Sequence, residues 1–190
     1  MILYLHGFRS APASGKARLF AQRMAERGLG GEFWCEQLPV NPEEAVERVE
    51  RVLEKSPSQP LLVGSSLGGY YATHLAEKHD LRAVLLNPAA FAYRTLSPFV
   101  GAQTNPYTGE IFDFTRQHIA ELKQLEVPVL SRPERFWLIV ETGDELLDYR
   151  EAVAKYAGAR QTVIEGGDHS LQHFPEWLDD IIAFAGHPPV

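Results

Sequence analysis

Short runs of consecutive apolar residues alternate along this chain with stretches whose apolar positions recur at helical spacing. The strand-like runs are Ile2–Leu5, Glu32–Cys35, Leu61–Val63, Ala83–Leu86, Phe136–Val140 and Gln161–Ile164. Most lack the in-and-out alternation of a half-solvated sheet, which predicts strands covered on both faces. Between them, Ala17, Phe20, Ala21 and Met24 make one apolar helix face that ends at Gly28. Ala45, Val46, Val49, Val52 and Leu53 make another, opened by Asn41-Pro42-Glu43, a cap followed by proline at a helix start. Leu67–Glu77, Leu147–Tyr156 and Phe174–Ala185 complete the helices, the last with Phe174, Trp177, Leu178, Ile181 and Ile182 on one face. Strand-helix alternation of this kind predicts an α/β fold, a mostly parallel six-stranded sheet with helices on both faces.

One interval breaks the rhythm. Residues 88–135 lie between two strand candidates where a single crossover helix of about a dozen residues would suffice. Thr115–Leu125 reads as a helix, while Ser97-Pro98, Asn105-Pro106-Tyr107-Thr108-Gly109, Val127-Pro128 and Arg132-Pro133 punctuate the remainder into turns. Long excursions in compact domains are commonly functional, so the segment is expected to form a small lid over a site.

Composition narrows the picture without changing it. With 190 residues, 45% of them apolar and 23% charged, residues 1–190 are expected to form a single domain. The 18 basic and 25 acidic residues give a net charge of −7, which excludes a general phosphate-tracking surface for nucleic acid. No apolar run approaches the roughly 18 residues that a bilayer span needs, and the N-terminus lacks the basic start of a signal peptide. The single cysteine, Cys35, has no partner within the chain and fits a reducing compartment, so a cytoplasmic location is expected.

The strongest chemical signal is Leu61-Leu62-Val63-Gly64-Ser65-Ser66-Leu67-Gly68-Gly69-Tyr70, a buried-strand run passing through Gly-x-Ser-x-Gly straight into a helix pattern. A nucleophile on that turn takes a strained backbone conformation that side chains at positions 64 and 68 would obstruct. Ser66 is therefore the candidate nucleophile. The Leu67 N–H at the helix start is a candidate oxyanion donor.

Serine needs a base, and the base an orienting acid. His169 lies in Glu165-Gly166-Gly167-Asp168-His169-Ser170, the loop leaving the last strand, and sites of open parallel sheets lie beyond the C-terminal strand ends. Asp144 stands just past the strand Phe136–Val140 and is the candidate acid. Glu141, Glu145 and Asp148 are its neighbours, read as helix-start or solvated charges. The chain order Ser66, Asp144, His169 is that of α/β-hydrolase triads. The Phe8 N–H, in the His6-Gly7-Phe8 loop after the first strand, is the second candidate oxyanion donor, with His6 packed beneath the loop. Arg9 and Ser10 follow on that loop, to contact substrate or to face water.

Other chemistries are poorly served. No lysine follows the glycine-rich turn as a P-loop requires, and no Gly-x-Gly-x-x-Gly opens a helix. His169 and His173 have metal-pair spacing but no accompanying His–Glu cluster, so a metal is not required.

Together, His6-Gly7-Phe8, Gly64-Ser65-Ser66-Leu67-Gly68-Gly69, Asn87-Pro88-Ala89, Asn105-Pro106-Tyr107-Thr108-Gly109-Glu110, Thr142-Gly143-Asp144-Glu145 with Asp148-Tyr149-Arg150, and Gly166-Gly167-Asp168-His169-Ser170 resemble the YqiA/YcfP-type small bacterial esterases of the α/β-hydrolase superfamily. The resemblance covers nearly the whole chain. It implies a cytoplasmic carboxylic-ester hydrolase, with acyl thioesters as further substrates, Ser66, Asp144 and His169 as its triad, and no cofactor. It also implies a minimal hydrolase sheet without the early antiparallel strands, ordered 2-1-3-4-5-6. An acyltransferase or a catalytically silent ligand-binding module would use the same residues. Phe91, Tyr93, Leu96, Phe99 and Tyr107 of the insert are candidate lining for a small-molecule acyl substrate.

Overall fold

The computed structural model describes residues 1–188; Pro189 and Val190, the last two residues of the expected domain, lie outside the described residues. The strands are β1 (Ile2–Leu5), β2 (Phe33–Trp34), β3 (Leu61–Ser65), β4 (Arg82–Leu86), β5 (Gly101–Thr104), β6 (Ile111–Phe114), β7 (Phe136–Glu141) and β8 (Arg160–Ile164). The helices are α1 (Gly15–Glu26), α2 (Pro42–Leu53), α3 (Leu67–His79), α4 (Ala92–Thr95), α5 (Arg116–Gln124), α6 (Tyr149–Lys155) and α7 (Phe174–Phe184). Six strands form one parallel sheet in the order β2-β1-β3-β4-β7-β8, the expected 2-1-3-4-5-6 once the two insert strands are set aside. The chain has the α/β-hydrolase fold.

Alternate residues of each central strand feed two separate cores, as the period of two requires. Leu3, Leu5, Leu62, Leu85, Leu138 and Val140 meet α2, α3, α5 and α6 on one face. Ile2, Tyr4, Val63, Leu86, Trp137 and Ile139 meet α1 and α7 on the other. Local chemistry sets the helix starts. The Asn41 side chain accepts from the Glu44 N–H at 2.9 Å with Pro42 in the first turn, and the Asp148 side chain accepts from the Arg150 N–H at 3.0 Å. That cap places the α6 start at Tyr149, later than the sequence pattern suggests. The Gly30–Glu32 turn similarly trims β2 to Phe33–Trp34.

Sheet order reverses between β1 and β3, because β2 lies outside β1 and the chain then crosses to the other side. The crevice beyond the strand ends at such a point is where open α/β sheets bind ligands. It is closed on one side by the insert. Residues 88–135 contain α4, a β5–β6 antiparallel hairpin, α5 and short turns; α5 was legible in the sequence, the hairpin was not. The Thr115 hydroxyl and the His118 ring form a reciprocal cap at the start of α5.

Backbone contact at the switch point is tighter than any residue but glycine permits. A Cβ on Gly68 would overlap the carbonyl oxygen of Leu5, and one on Gly64 would overlap the carbonyl of Gly68. Gly15, exposed at the start of α1, has open space around it. Gly68→Ala is therefore expected to cost about 3 kcal/mol or more, through overpacking against backbone that cannot yield. Gly15→Ala should be neutral or stabilise by up to about 1 kcal/mol. Urea unfolding of the two variants checks the contrast, and equal midpoints would contradict it.

Candidate active site

Ser66 sits between the last residue of β3 and the first of α3, with φ 55° and ψ −118°. This is a sparsely populated conformation for a residue with a side chain, costing about 1–3 kcal/mol. The surroundings hold it there. The Ser66 N–H donates to the Leu86 carbonyl at 3.1 Å, and its own carbonyl accepts from the N–H groups of Gly69 at 3.0 Å and Ala89 at 3.1 Å. Ser65 is buried beneath the turn.

His169 Nε2 lies 3.2 Å from Ser66 Oγ, and His169 Nδ1 lies 2.8 Å from Asp144 Oδ2. Residues 103 and 25 positions away from His169 in sequence are thus brought into one line. The Asp144 side chain is 2% exposed. Its other oxygen accepts from the N–H groups of Leu146 and Leu147, both at 2.9 Å, which fixes the carboxylate in a local turn. Asp148 instead caps α6, and Glu145 accepts from the His169 N–H at 3.0 Å.

The loop after β1 runs beside the serine: a Cβ on Gly7 would stand 3.2 Å from the Ser66 Cβ. His6 is buried under this loop. Its Nε2 accepts from the Leu38 N–H at 3.0 Å, so Nδ1 carries the proton and donates to the Gly7 carbonyl at 3.0 Å. Burial holds the His6 pKa below its ordinary value, consistent with a neutral ring that shapes the loop. Among the described residues, the backbone N–H groups of Phe8 and Leu67 donate to no protein acceptor.

The hairpin of the insert grips the same loop. The Phe8 ring packs against Phe114, Phe99 and Phe112 at centroid separations of 4.9, 5.9 and 6.0 Å. Arg9, with φ 53°, donates to the Thr104 carbonyl at 3.1 Å and to Gln103 Oε1 at 3.3 Å, so it bolts the loop to β5. A cavity of about 40 Å³ lies at this junction, with Phe8, Leu38, Val40, Leu67, Tyr71 and Phe112 among its apolar walls and Arg9 and Glu110 among its polar ones. Of the residues expected to line a substrate site, Arg9 borders this cavity, whereas Phe91, Tyr93, Leu96, Phe99 and Tyr107 do not. The Phe91 ring lies within reach of the Arg94 guanidinium, 4.0 Å from its centroid, and of the Lys155 ammonium, 5.1 Å away; Phe99 packs on Phe8, and Tyr107 is half-exposed in the hairpin turn. Leu38, Val40, Tyr71 and Phe112 went unmarked in the sequence.

Two polar residues were also undervalued. Glu141, read from sequence as a solvated or helix-start charge, is fully buried at the end of β7. Burial acts to raise its pKa, but hydrogen bonds from His173, Asp168 and Gln172 outweigh that and hold it below the usual carboxylate range. Asn87, at φ 39° past the end of β4, accepts from the Glu141 N–H and donates to the Asp168 carbonyl. His173, spaced from His169 like a metal pair, turns to Glu141 instead, and no cluster of three or more metal-ligating side chains occurs among the described residues.

Several comparisons bear on this arrangement. The UPF0227 protein YcfP of Salmonella paratyphi A is 24% identical over 187 residues, covering 97% of this chain and 98% of the relative. A solved structure from Agrobacterium vitis S4 superposes with a TM-score of 0.73 at 20% identity, covering 97% of this chain and 87% of the other. The monoacylglycerol lipase of Paleococcus ferrophilus superposes with a TM-score of 0.67 at 16% identity, covering 98% and 94%. A family match extends over residues 1–186, and on that match the chain belongs to the family described as Uncharacterised protein family (UPF0227).

Proposed function

We propose that this protein is a serine hydrolase that cleaves carboxylic esters, with acyl thioesters as further substrates, through an acyl-enzyme on Ser66. The observation that carries the reading is the continuous line from Asp144 Oδ2 through both ring nitrogens of His169 to Ser66 Oγ. One fold hosts many chemistries, so the support comes from this constellation rather than from the sheet. A neighbour of the same fold named as a monoacylglycerol lipase agrees with an ester as substrate.

In this reading His169 Nε2 takes the proton of Ser66 Oγ as the oxygen attacks the acyl carbonyl, and Asp144 holds the proton on Nδ1 and stabilises the imidazolium. The free N–H groups of Phe8 and Leu67, with the N-terminal end of α3 behind the latter, receive the oxyanion. Histidine returns its proton to the leaving alcohol or thiol. Water then repeats the sequence on the acyl-enzyme and releases the acid.

The insert acts as a lid whose hairpin supplies Phe112 to one wall of the acyl pocket, beside Phe8 and Leu67. The substrate is a small molecule, and the residues need no cofactor. A single unpaired cysteine supports a reducing, cytoplasmic setting. No helix among the described residues is long and apolar enough to cross a membrane.

Three outcomes are expected. A fluorophosphonate probe should label Ser66, and Ser66→Ala should abolish both labelling and turnover of a p-nitrophenyl ester, while Ser65→Ala keeps both; peptide mapping of the adduct to another residue removes the nucleophile. Asp144→Asn should lower kcat by about 10⁴-fold, as loss of the orienting carboxylate does in serine triads. Asp148→Asn, which keeps a capping side-chain oxygen, should leave both stability and kcat nearly intact, and the reverse ranking would move the acid to the start of α6. Phe112→Ala should steepen the plot of log kcat/KM against acyl carbon number, since each substrate CH₂ newly accommodated is worth about 0.8 kcal/mol, close to fourfold. Tyr107→Ala, off the cavity wall, should leave the slope alone. Lost packing on Phe8 shifts every ester equally, so parallel lines for Phe112→Ala would refute the pocket assignment.

A further inference from the structure

We infer that Glu141 is the positioning residue of the catalytic histidine, acting on His169 through the peptide groups of Asp168; the inference rests on the serine-hydrolase reading above. Glu141 ends β7, three residues before Asp144, and is 0% exposed. Its Oε2 accepts from the N–H groups of Asp168 at 2.7 Å and Gln172 at 3.0 Å. Its Oε1 accepts from the His173 N–H at 2.8 Å and faces the His173 Nδ1 at 2.9 Å. Four donors thus fill the acceptor sites of one carboxylate, which is how an anion out of water is kept ionised.

The main chain of the same residue completes the clamp. The Glu141 N–H donates to Asn87 Oδ1 at 2.9 Å, and Asn87 Nδ2 donates to the Asp168 carbonyl at 3.0 Å. The N–H and the carbonyl of Asp168, the residue directly before His169, are therefore both tied to the ends of β7 and β4. Gly167 allows the approach, because a Cβ there would overlap Glu141 Oε2, and its φ of +67° suits glycine. Further along the same turn, Gly143 N–H donates to the Gly166 carbonyl at 2.7 Å. Acid and base thus leave one short piece of β7 and the loop bolted to it, so their separation is set by Glu141 rather than by loop flexibility. Other groups also hold the loop, from its exposed side: Glu145 accepts from the N–H of His169 itself, Lys16 Nζ donates to the Ser170 carbonyl at 2.9 Å, and the Asp168 side chain turns to Ser170 and Gln172.

Glu141→Gln tests this. An amide offers one acceptor oxygen, so turned one way its NH₂ meets the Asp168 and Gln172 N–H groups, and turned the other way it meets the His173 N–H. Ester kcat should fall about 100-fold with KM within about twofold, the signature of a displaced base and an unchanged binding surface. Glu141→Asp, which keeps both oxygens but retreats by a methylene, should fall between wild type and Glu141→Gln. The reading that a purely structural role would not move is the His169 ring ¹⁵N spectrum: the wild type should show protonated Nδ1, and Glu141→Gln a mixture of tautomers. Urea midpoints establish that the compared proteins are folded. Folded variants with wild-type kcat, or a kcat loss with unchanged His169 shifts, would overturn the inference. If Glu141→Gln does not fold, the same two measurements on Glu141→Asp decide it. A wild type that turns over no ester while Glu141→Gln still changes the His169 tautomer would refute the hydrolase reading and keep the positioning role.

Discussion

The arrangement depends on how closely helix α3 approaches strand β1 at the point where the sheet order reverses. No side chain fits between Gly68 and the Leu5 carbonyl, or between Gly64 and the first turn of α3. That contact forces the chain to turn within a single residue, and the residue at the turn is Ser66, held at positive φ. The strain is local while the support is extended: carbonyl and N–H groups from β4 and the Pro88–Ala89 segment lock the turn, and two apolar cores fix the strands beneath it. A serine so placed has its side chain clear of the sheet and the positive end of a helix at its back.

The rest of the site is built on polar groups whose burial would be costly if any partner were missing. Asn87 and Glu141 satisfy each other and the loop that carries His169, and His6 joins the loop after β1 to the Leu38 N–H. Each of these residues sits at or just past the C-terminal end of a parallel strand, the rim where main-chain groups leave the ladder and require new partners. The same rim carries Ser66, Asp144 and His169. Satisfying orphan backbone groups and aligning the side chains of Asp144, His169 and Ser66 are here one structural problem with one solution.

Much of this was legible in sequence because its signals are local. Fully apolar runs gave the central strands, caps and breakers gave the helix ends, and Gly64-Ser65-Ser66-Leu67-Gly68 placed a strand, a turn and a helix within ten residues. Asp144 was distinguishable from Asp148 because one follows a strand and the other precedes a helix, and the structure separates them accordingly. What was missed depends on partners distant in sequence. Glu141 looks like an ordinary charge after a strand, and its donors lie 27 to 32 residues away. The β5–β6 hairpin was hidden because both strands are only four residues long, Gly101–Thr104 has Ala102 as its one apolar side chain, and Ile111 remains exposed. The expected lining went to the largest aromatics of the insert, whereas the cavity wall takes Phe112 from it and draws Leu38 and Val40 from a different loop.

The hairpin's position ties the loop after β1 to the wall of the cavity. Its aromatic residues enclose the ring of Phe8, and its β5 strand accepts the Arg9 side chain, so the segment carrying one candidate oxyanion N–H is anchored between β1 and the insert rather than to β1 alone. A rigid donor is worth far more to a developing oxyanion than a mobile one, because no reorganisation is needed as charge appears. A minimal hydrolase sheet has no additional strands with which to brace the loop after its first strand. The insert provides the brace from the opposite side and, in the same contact, forms one wall of the cavity. Phe112, which packs on Phe8 and also lines the cavity, therefore couples the width of the cavity to the anchoring of that candidate donor.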